Sequence, residues 1–200
     1  PVAGANLKIV NSDANGRGEI IAQGDMIMAG YYKSPEATSQ VLKDGWLYTG
    51  DLGYMDKDGY FYISGRAKNL IVSRAGKNIC PEEIEQELLK SPFMAEALVL
   101  GKYHDGGEDV YAIVVPNFES FENALKKTKE QISDSEIEKI IKAEITKYCD
   151  NLAEYKRVKG FEISREELEK TSTKKIKRFL FKDKSFKKNS AEKVVVSKPK

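Results

Sequence analysis

Residues 49–77 read TGDLGYMDKDGYFYISGRAKNLIVSRAGK, and this stretch decides the fold. Asp56-Lys57-Asp58-Gly59 separates Leu52-Gly53-Tyr54-Met55 from Tyr60-Phe61-Tyr62-Ile63. Gly and Asp accept the dihedrals of a tight turn, and aromatic residues suit a half-buried pleated surface, so the pattern predicts a β-hairpin. Gly65-Arg66-Ala67-Lys68-Asn69 then interrupts the strands. Leu70-Ile71-Val72 resumes an apolar run, and Ala75-Gly76-Lys77-Asn78 turns it again. Before the polar knot the chain reads as one kind of domain, and after it as another.

Upstream, the chain reads as β-rich. Leu7–Val10 and Glu19–Gln23 are short strand-like runs around an Asp13-Ala14-Asn15-Gly16 turn. Ser34 and Pro35 have the character of an N-cap and a first helical residue. Asp44-Gly45 turns the chain into Trp46. Short strands with Gly turns predict a small barrel or curled sheet.

Downstream the pattern becomes mixed. Pro81-Glu82-Glu83 opens a helix whose acidic first turn suits the helix dipole, with Ile84 and Leu88 as its apolar stripe and Ser91-Pro92 as its stop. Ala95–Leu100 and Val110–Val115 read as an antiparallel pair joined by a Gly106-Gly107 loop, with His104 as a loop histidine. Phe121, Ala124 and Leu125 mark a short helix. Ser133 and Glu136 form a capping box ahead of Ile137, Ile140, Ile141 and Ile145. Val158–Ile163 is a candidate third strand. The expected class is therefore α+β: a β-rich, barrel-like subdomain, then a small α+β domain with an antiparallel sheet flanked by helices.

Composition narrows the function classes. A formal net charge of +2 over 200 residues argues against a chain that binds nucleic acid electrostatically along its whole surface. No apolar run approaches the roughly 20 residues needed to span a bilayer. Pro1 begins mid-pattern, without a basic and then apolar leader, which suggests a fragment or a processed chain. The two cysteines, Cys80 and Cys149, form neither a CxxC pair nor a zinc set, so reduced thiols in a cytoplasmic protein are expected. With one histidine, a His-based metal site or a Ser-His-Asp triad has little support, and no metal site is expected within these residues. The late lysines, from Lys174 through Lys188, read as a solvated face or a frayed terminus.

Taken singly, the polar residues of the opening stretch are bland. Asp51 is a turn aspartate, Arg66 a surface ion-pair former, Gly76 a turn glycine. Taken together they are specific. TGD, then a hairpin, then Gly65-Arg66-Ala67-Lys68, then Gly76-Lys77-Asn78-Ile79 ahead of Pro81-Glu82-Glu83-Ile84-Glu85, resembles the AMP-forming acyl- and aryl-CoA synthetases in order and spacing. "GYYKSPEAT", "DGWLYTGDLGY" and "TSTKKIKR" look most like long-chain fatty acyl-CoA synthetases. The resemblance runs from about Gly18 to Arg178. No phosphate-binding GxxxxGK[ST] or equivalent is present.

The resemblance implies roles. Lys175 is the catalytic cation of adenylation, in a Thr/Ser-rich loop where Lys174 stands at a position commonly Gly. Asp51 holds the ribose hydroxyls, Arg66 adds charge near ribose and phosphates, and Thr49 lines the nucleotide pocket. Lys68 is the hinge about which a lid domain rotates between half-reactions. Ala75, Gly76 and Lys77 then form part of a pantetheine tunnel. ATP and CoA are the expected substrates, with Mg2+ bound by an upstream part and peripheral membrane contact for access to fatty acid. The domains expected are 1–64 as the end of a large adenylating domain, 65–69 as hinge, 70–185 as lid and 186–200 as a basic flexible tail. The fragment is expected to be inactive alone. Two other readings stand beside this: a synthetase that loads an acyl carrier protein, and a non-enzymatic basic module that binds an anionic polymer or membrane surface.

Overall fold

A computed structural model describes residues 2–182. The expected tail, 186–200, lies outside those residues. The chain divides into two compact units, Pro1–Leu70 and Ile71–Lys200.

The first unit is an antiparallel sheet of five strands. β1 (Asn6–Val10) pairs with β2 (Gly18–Gln23), and α1 (Pro35–Val41) leads into β3 (Leu42–Lys43), β4 (Trp46–Met55) and β5 (Phe61–Arg66). β4 is central, with β2 along one edge and β3 and then β5 along the other. Asp44 and Gly45, at φ 51° and 78°, make the two-residue loop between β3 and β4 that suits the twist of a hairpin. The β4–β5 turn closes through Asp56, whose Oδ1 accepts from the amides of Asp58 (3.0 Å) and Tyr60 (2.9 Å). Those bonds favour the ionised carboxyl, led by that from Tyr60, and hold its pKa below the usual value.

Two sequence expectations change here. Gly65 and Arg66 do not interrupt the strand: they pair with Leu52 and Asp51, because a bulge absorbs Ser64 opposite Leu52 and Gly53. The Ser64 hydroxyl donates to the Leu52 carbonyl, 3.2 Å away. Ser34 does precede α1, but its side chain makes no cap bond. Its carbonyl instead accepts from the amide and the hydroxyl of Thr38. The interior is thin: among the described residues of this unit, the buried apolar side chains are Ile20 and Ile21, while Tyr32, Tyr60 and Ile63 stay largely exposed.

The second unit holds most of the core. β6 (Ile71–Val72) and β7 (Asn78–Ile79) form a minimal hairpin, followed by α2 (Pro81–Leu88), β8 (Met94–His104), β9 (Gly107–Pro116), α3 (Phe118–Leu125), α4 (Asp134–Cys149), β10 (Gly160–Ile163) and α5 (Phe179–Lys182). β8 and β9 are antiparallel, β10 joins β9 in parallel, and the sheet order is β10-β9-β8. One face of the sheet carries Ala97, Val99, Val110, Ala112 and Val114 into a cluster with Ile84 and Leu88 of α2, Phe121 of α3, and Ile137, Ile141 and Ile145 of α4. The other face puts Leu98, Leu100, Ile113 and Val115 against Leu168, Ile176 and Phe181. The alternation follows from the two-residue period of a strand, here with both faces covered.

β8 and β9 run longer than expected, leaving only Asp105-Gly106, at φ 45° and 83°, as the turn. His104 is therefore the last residue of β8, paired with Gly107, and not a loop histidine. The α4 capping box forms in full: the Ser133 hydroxyl accepts from the Glu136 amide while the Glu136 carboxylate accepts from the Ser133 amide. Cys80 and Cys149 form no disulfide among the described residues.

Candidate functional site

The candidates fall into three groups, one in the first unit and two in the second, with Lys68 standing apart at the end of the first unit. In the first unit, the central strand and its bulged partner bring Thr49, Asp51 and Arg66 together. Asp51 and Arg66 face each other across the β4–β5 ladder, with Arg66 Nε 2.8 Å from Asp51 Oδ1. The same guanidinium donates through Nη1 to the Thr49 carbonyl, 3.0 Å away. The Thr49 hydroxyl is committed to the scaffold: it donates to the Ile20 carbonyl at 2.6 Å and accepts from the Asp51 amide at 3.0 Å. Gly50, at φ 69°, turns its amide onto Glu19 Oε1. Asp51 is thus fixed in backbone and along one carboxylate edge, while Oδ2 has no protein partner among the described residues. A carboxylate oxygen held in that way is an acceptor for a neighbouring diol.

Lys68 lies in a 3-10 turn, Ala67–Asn69, closed by the Leu70 amide on the Ala67 carbonyl, just before the chain passes from the first unit to the second.

The second group is the turn between β6 and β7. Ser73 organises it: its amide donates to the Lys77 carbonyl, its carbonyl accepts from the Gly76 amide, and its hydroxyl accepts from the Lys77 amide. Ala75, Gly76 and Lys77 are exposed. Gly76 sits at φ 68°, and a Cβ built there meets nothing within 4 Å. The glycine is required by backbone conformation within this unit, not by crowding.

The third group is the lysine loop. Thr171 donates its amide to the Lys175 carbonyl (2.8 Å), and its hydroxyl accepts from the Lys175 amide (3.2 Å). Lys174 turns the chain at φ 60°, and Lys170 and Ile176 bridge below it. Lys175 is exposed and makes no ion pair among the described residues. Three nearby cations are paired, Lys170 with Glu96, Lys177 with Glu169 and Arg178 with Glu85, while Lys174 beside it makes no ion pair among the described residues. Ile176 packs beneath the loop against the sheet.

Arg178 is the residue whose role the sequence hid. Counted there with a solvated lysine-rich run, it is instead largely buried. Its Nη1 donates to the Val99 carbonyl (2.9 Å) and its Nη2 to Glu85 Oε2 (2.5 Å). Glu85 Oε1 in turn accepts from the Val99 amide (2.6 Å). The pair therefore satisfies both backbone groups of Val99 on the open edge of β8. Burial pushes the Glu85 carboxyl above its usual pKa, against the opposing pull of Arg178. Only the apolar Ile176 beside it signalled an inward turn.

Comparison with known proteins places the chain in a family. Residues 83–175 match the family described as AMP-binding enzyme C-terminal domain. The chain is 53% identical over 100 residues to a sulfoacetate–CoA ligase of Cupriavidus necator, covering 49% of this chain and 19% of that protein. It is 41% identical over 165 residues to a long-chain-fatty-acid–CoA ligase of Bacillus subtilis, covering 80% of this chain and 26% of that protein. Among solved structures, the o-succinylbenzoate CoA synthetase of Bacillus subtilis in complex with its acyl-adenylate intermediate superposes with a TM-score of 0.73 at 31% identity, over 92% of this chain and 34% of that one. The same synthetase has been solved with ATP and magnesium ion. The chain thus spans roughly a fifth to a third of the length of the proteins it matches. It belongs to the AMP-binding enzyme C-terminal domain family of the adenylate-forming acyl-CoA ligases.

Proposed function

We propose that the chain supplies the lid, and the hinge-side strands leading into it, of a ligase that condenses a carboxylic acid with ATP and passes the acyl group to CoA. In the first half-reaction the acid's carboxylate attacks the α-phosphorus of ATP, the bond to the β,γ-diphosphate breaks, and acyl-AMP and pyrophosphate result. Two anions meet and negative charge gathers on the phosphoryl oxygens. The Lys175 ammonium compensates it as a compact point charge. Asp51 Oδ2 accepts from the ribose hydroxyls, Arg66 holds Asp51 in place and adds positive charge nearby, and Thr49 contributes through its backbone. In the second half-reaction the lid reorients about Lys68, a hinge in the sense of a short segment that absorbs the backbone change. The Ala75-Gly76-Lys77 turn then lines the approach of pantetheine, the CoA thiol attacks the acyl carbonyl, its proton leaves to solvent or base, and AMP departs.

The single observation that carries this reading is the exposed Lys175, without an ion pair among the described residues, on a loop where Lys170, Lys177 and Arg178 are paired with carboxylates and the likewise unpaired Lys174 turns the chain at φ 60°. The pairing of Lys170, Lys177 and Arg178 leaves Lys174 and Lys175 as the cations without a carboxylate partner among the described residues at 170–178. Magnesium accompanies the ATP phosphates and is held by the upstream part of the full-length ligase; among the described residues no group of three or more His, Cys, Asp or Glu side chains is placed to hold a metal. A long-chain fatty acid is the acid proposed, on the strength of the match to the Bacillus subtilis enzyme over most of this chain. Reduced cysteines suit the cytoplasm as the proposed compartment, and no helix among the described residues is long and apolar enough to cross a membrane.

The test is ATP–pyrophosphate exchange by the full-length parent protein with short, aromatic, sulfonated and long-chain acids, with CoA-thioester formation followed in parallel. Exchange and thioester formation greatest with long-chain acids are expected. Exchange with none of the acids ends the ligase reading, and a preference for another acid ends the fatty-acid part of it. Transfer to a carrier protein in place of CoA would reassign the acceptor.

A further inference from the structure

The β6–β7 hairpin has two residues in each strand. A hairpin of that size has no independent stability, so something else fixes where its turn points. Ile71 and Ile79 anchor its base in the core. Beyond them the tip of the β8–β9 hairpin holds it. Glu108 Oε2 accepts from the Val72 amide at 2.7 Å. Gly107 is buried, and a Cβ there would fall 2.4 Å from the Arg74 nitrogen and 2.6 Å from its Cα, so β9 and the start of the turn touch backbone to backbone. The Arg74 guanidinium folds back over the same tip: it bonds to His104 Nδ1 and lies 3.7 Å from the Asp109 carboxylate.

We propose that Gly107 and Glu108 are positioning residues for thioester formation, acting through Val72 and Arg74 on the Ala75-Gly76-Lys77 turn. The inference rests on the reading of that turn as a wall of the pantetheine path. Glu108 sets the height of the strand entering the turn, and the missing side chain at Gly107 lets the turn sit flush on β9. Neither residue contributes to the Lys175 loop's own bonding, so the adenylation half-reaction should not depend on them. A misplacement of the order of 1 Å in a positioning element costs roughly 10²-fold in rate.

The experiment uses the full-length ligase with Glu108→Ala, Glu108→Gln and Gly107→Ala, and Gly76→Leu as reference. Each is assayed for ATP–pyrophosphate exchange and, separately, for thioester formation from supplied acyl-AMP at varied CoA. Glu108→Ala and Gly107→Ala are expected to leave exchange within about twofold of wild type and to lower kcat/KM for CoA by roughly 10²-fold. Glu108→Gln, which keeps an acceptor oxygen for the Val72 amide, is expected to recover most of the loss. If both half-reactions fall together, or neither falls, the two residues are scaffold only and the proposal is overturned. If Gly107→Ala does not fold, the two Glu108 variants decide alone. Should Gly76→Leu block thioester formation while Glu108→Ala does not, this inference fails and the tunnel reading survives. Should Gly76→Leu leave thioester formation intact, the tunnel reading fails and takes this inference with it.

Discussion

Arg178 Nη2 lies 2.5 Å from Glu85 Oε2, and both side chains are more than four-fifths buried. The pair closes the edge of β8 at Val99 and ties the end of the lysine loop to α2. Removing one partner strands the other charge away from water, which typically costs about 3–5 kcal/mol. Arg178→Met is therefore expected to lower the unfolding free energy of the second unit by about that amount, measured by urea denaturation at neutral pH. The sign of its pH dependence follows from Glu85. Its folded pKa is already raised by burial, and loss of Arg178 raises it further. A carboxyl whose folded pKa exceeds its unfolded value favours the fold below the unfolded pKa and loses that contribution as pH rises. The defect in Arg178→Met should be largest at neutral pH and shrink on acidification into the carboxylate range. A defect that grows on acidification would contradict it.

Lys174 occupies the left-handed region, at φ 60°, where glycine is the residue of least strain. A side chain there costs about 1–2 kcal/mol, partly offset in a glycine variant by about 0.4–1 kcal/mol of extra unfolded-state freedom. Lys174→Gly should leave the fold slightly more stable, by roughly 0.5–1 kcal/mol, while Lys174→Val should destabilise it. Paired urea midpoints decide the order, and a Lys174→Val variant more stable than Lys174→Gly would refute the strain argument.

Glu136 has its pKa lowered from 4.5 to about 2, first by the Lys127 ammonium and then by the Ser133 amide and hydroxyl. A folded pKa below the unfolded one gives stability that is present above about pH 4.5 and is lost as pH falls toward 2. Glu136→Gln should flatten that part of the acid limb in a plot of unfolding midpoint against pH. An unchanged slope would mean the capping box does not hold the carboxylate in solution.

The two units differ in how much apolar surface they bury. Ile20 and Ile21 form the whole described apolar interior of the first, against more than twenty buried side chains in the second. Local stability follows buried contacts, so amides of β1–β5 should exchange with solvent well before those of β8, β9 and α4. Hydrogen exchange on the 200-residue chain reads this directly, and equal protection in both units would contradict it.

What the sequence made visible was local. The capping box and isoleucine stripe of α4 lie within 13 residues of one another, and the Asp56–Gly59 turn carries its own hydrogen bonds, so both could be read from spacing. What it concealed depended on distant partners. Arg178 finds Glu85 across 93 residues, and in the linear chain it is one more cation in a basic run. Gly65-Arg66 looked like a strand breaker because the bulge that keeps it in register is visible only against Leu52 and Gly53. Asp51 and Arg66 were both singled out as candidates, but their direct pairing across the ladder was not foreseen, since register is a property of two strands. The Glu108–Val72 bond, which carries the positioning proposal, had no sequence signal at all.

On the proposed function, Lys175 serves adenylation and not acyl transfer. The measurement is ATP–pyrophosphate exchange by the full-length ligase carrying Lys175→Ala, beside thioester formation from supplied acyl-AMP. Exchange is expected to fall by roughly 10²–10³-fold, as for loss of a preorganised charge at a transition state, while thioester formation stays near wild type. Exchange at the wild-type rate, or an equal loss in both half-reactions, would contradict it.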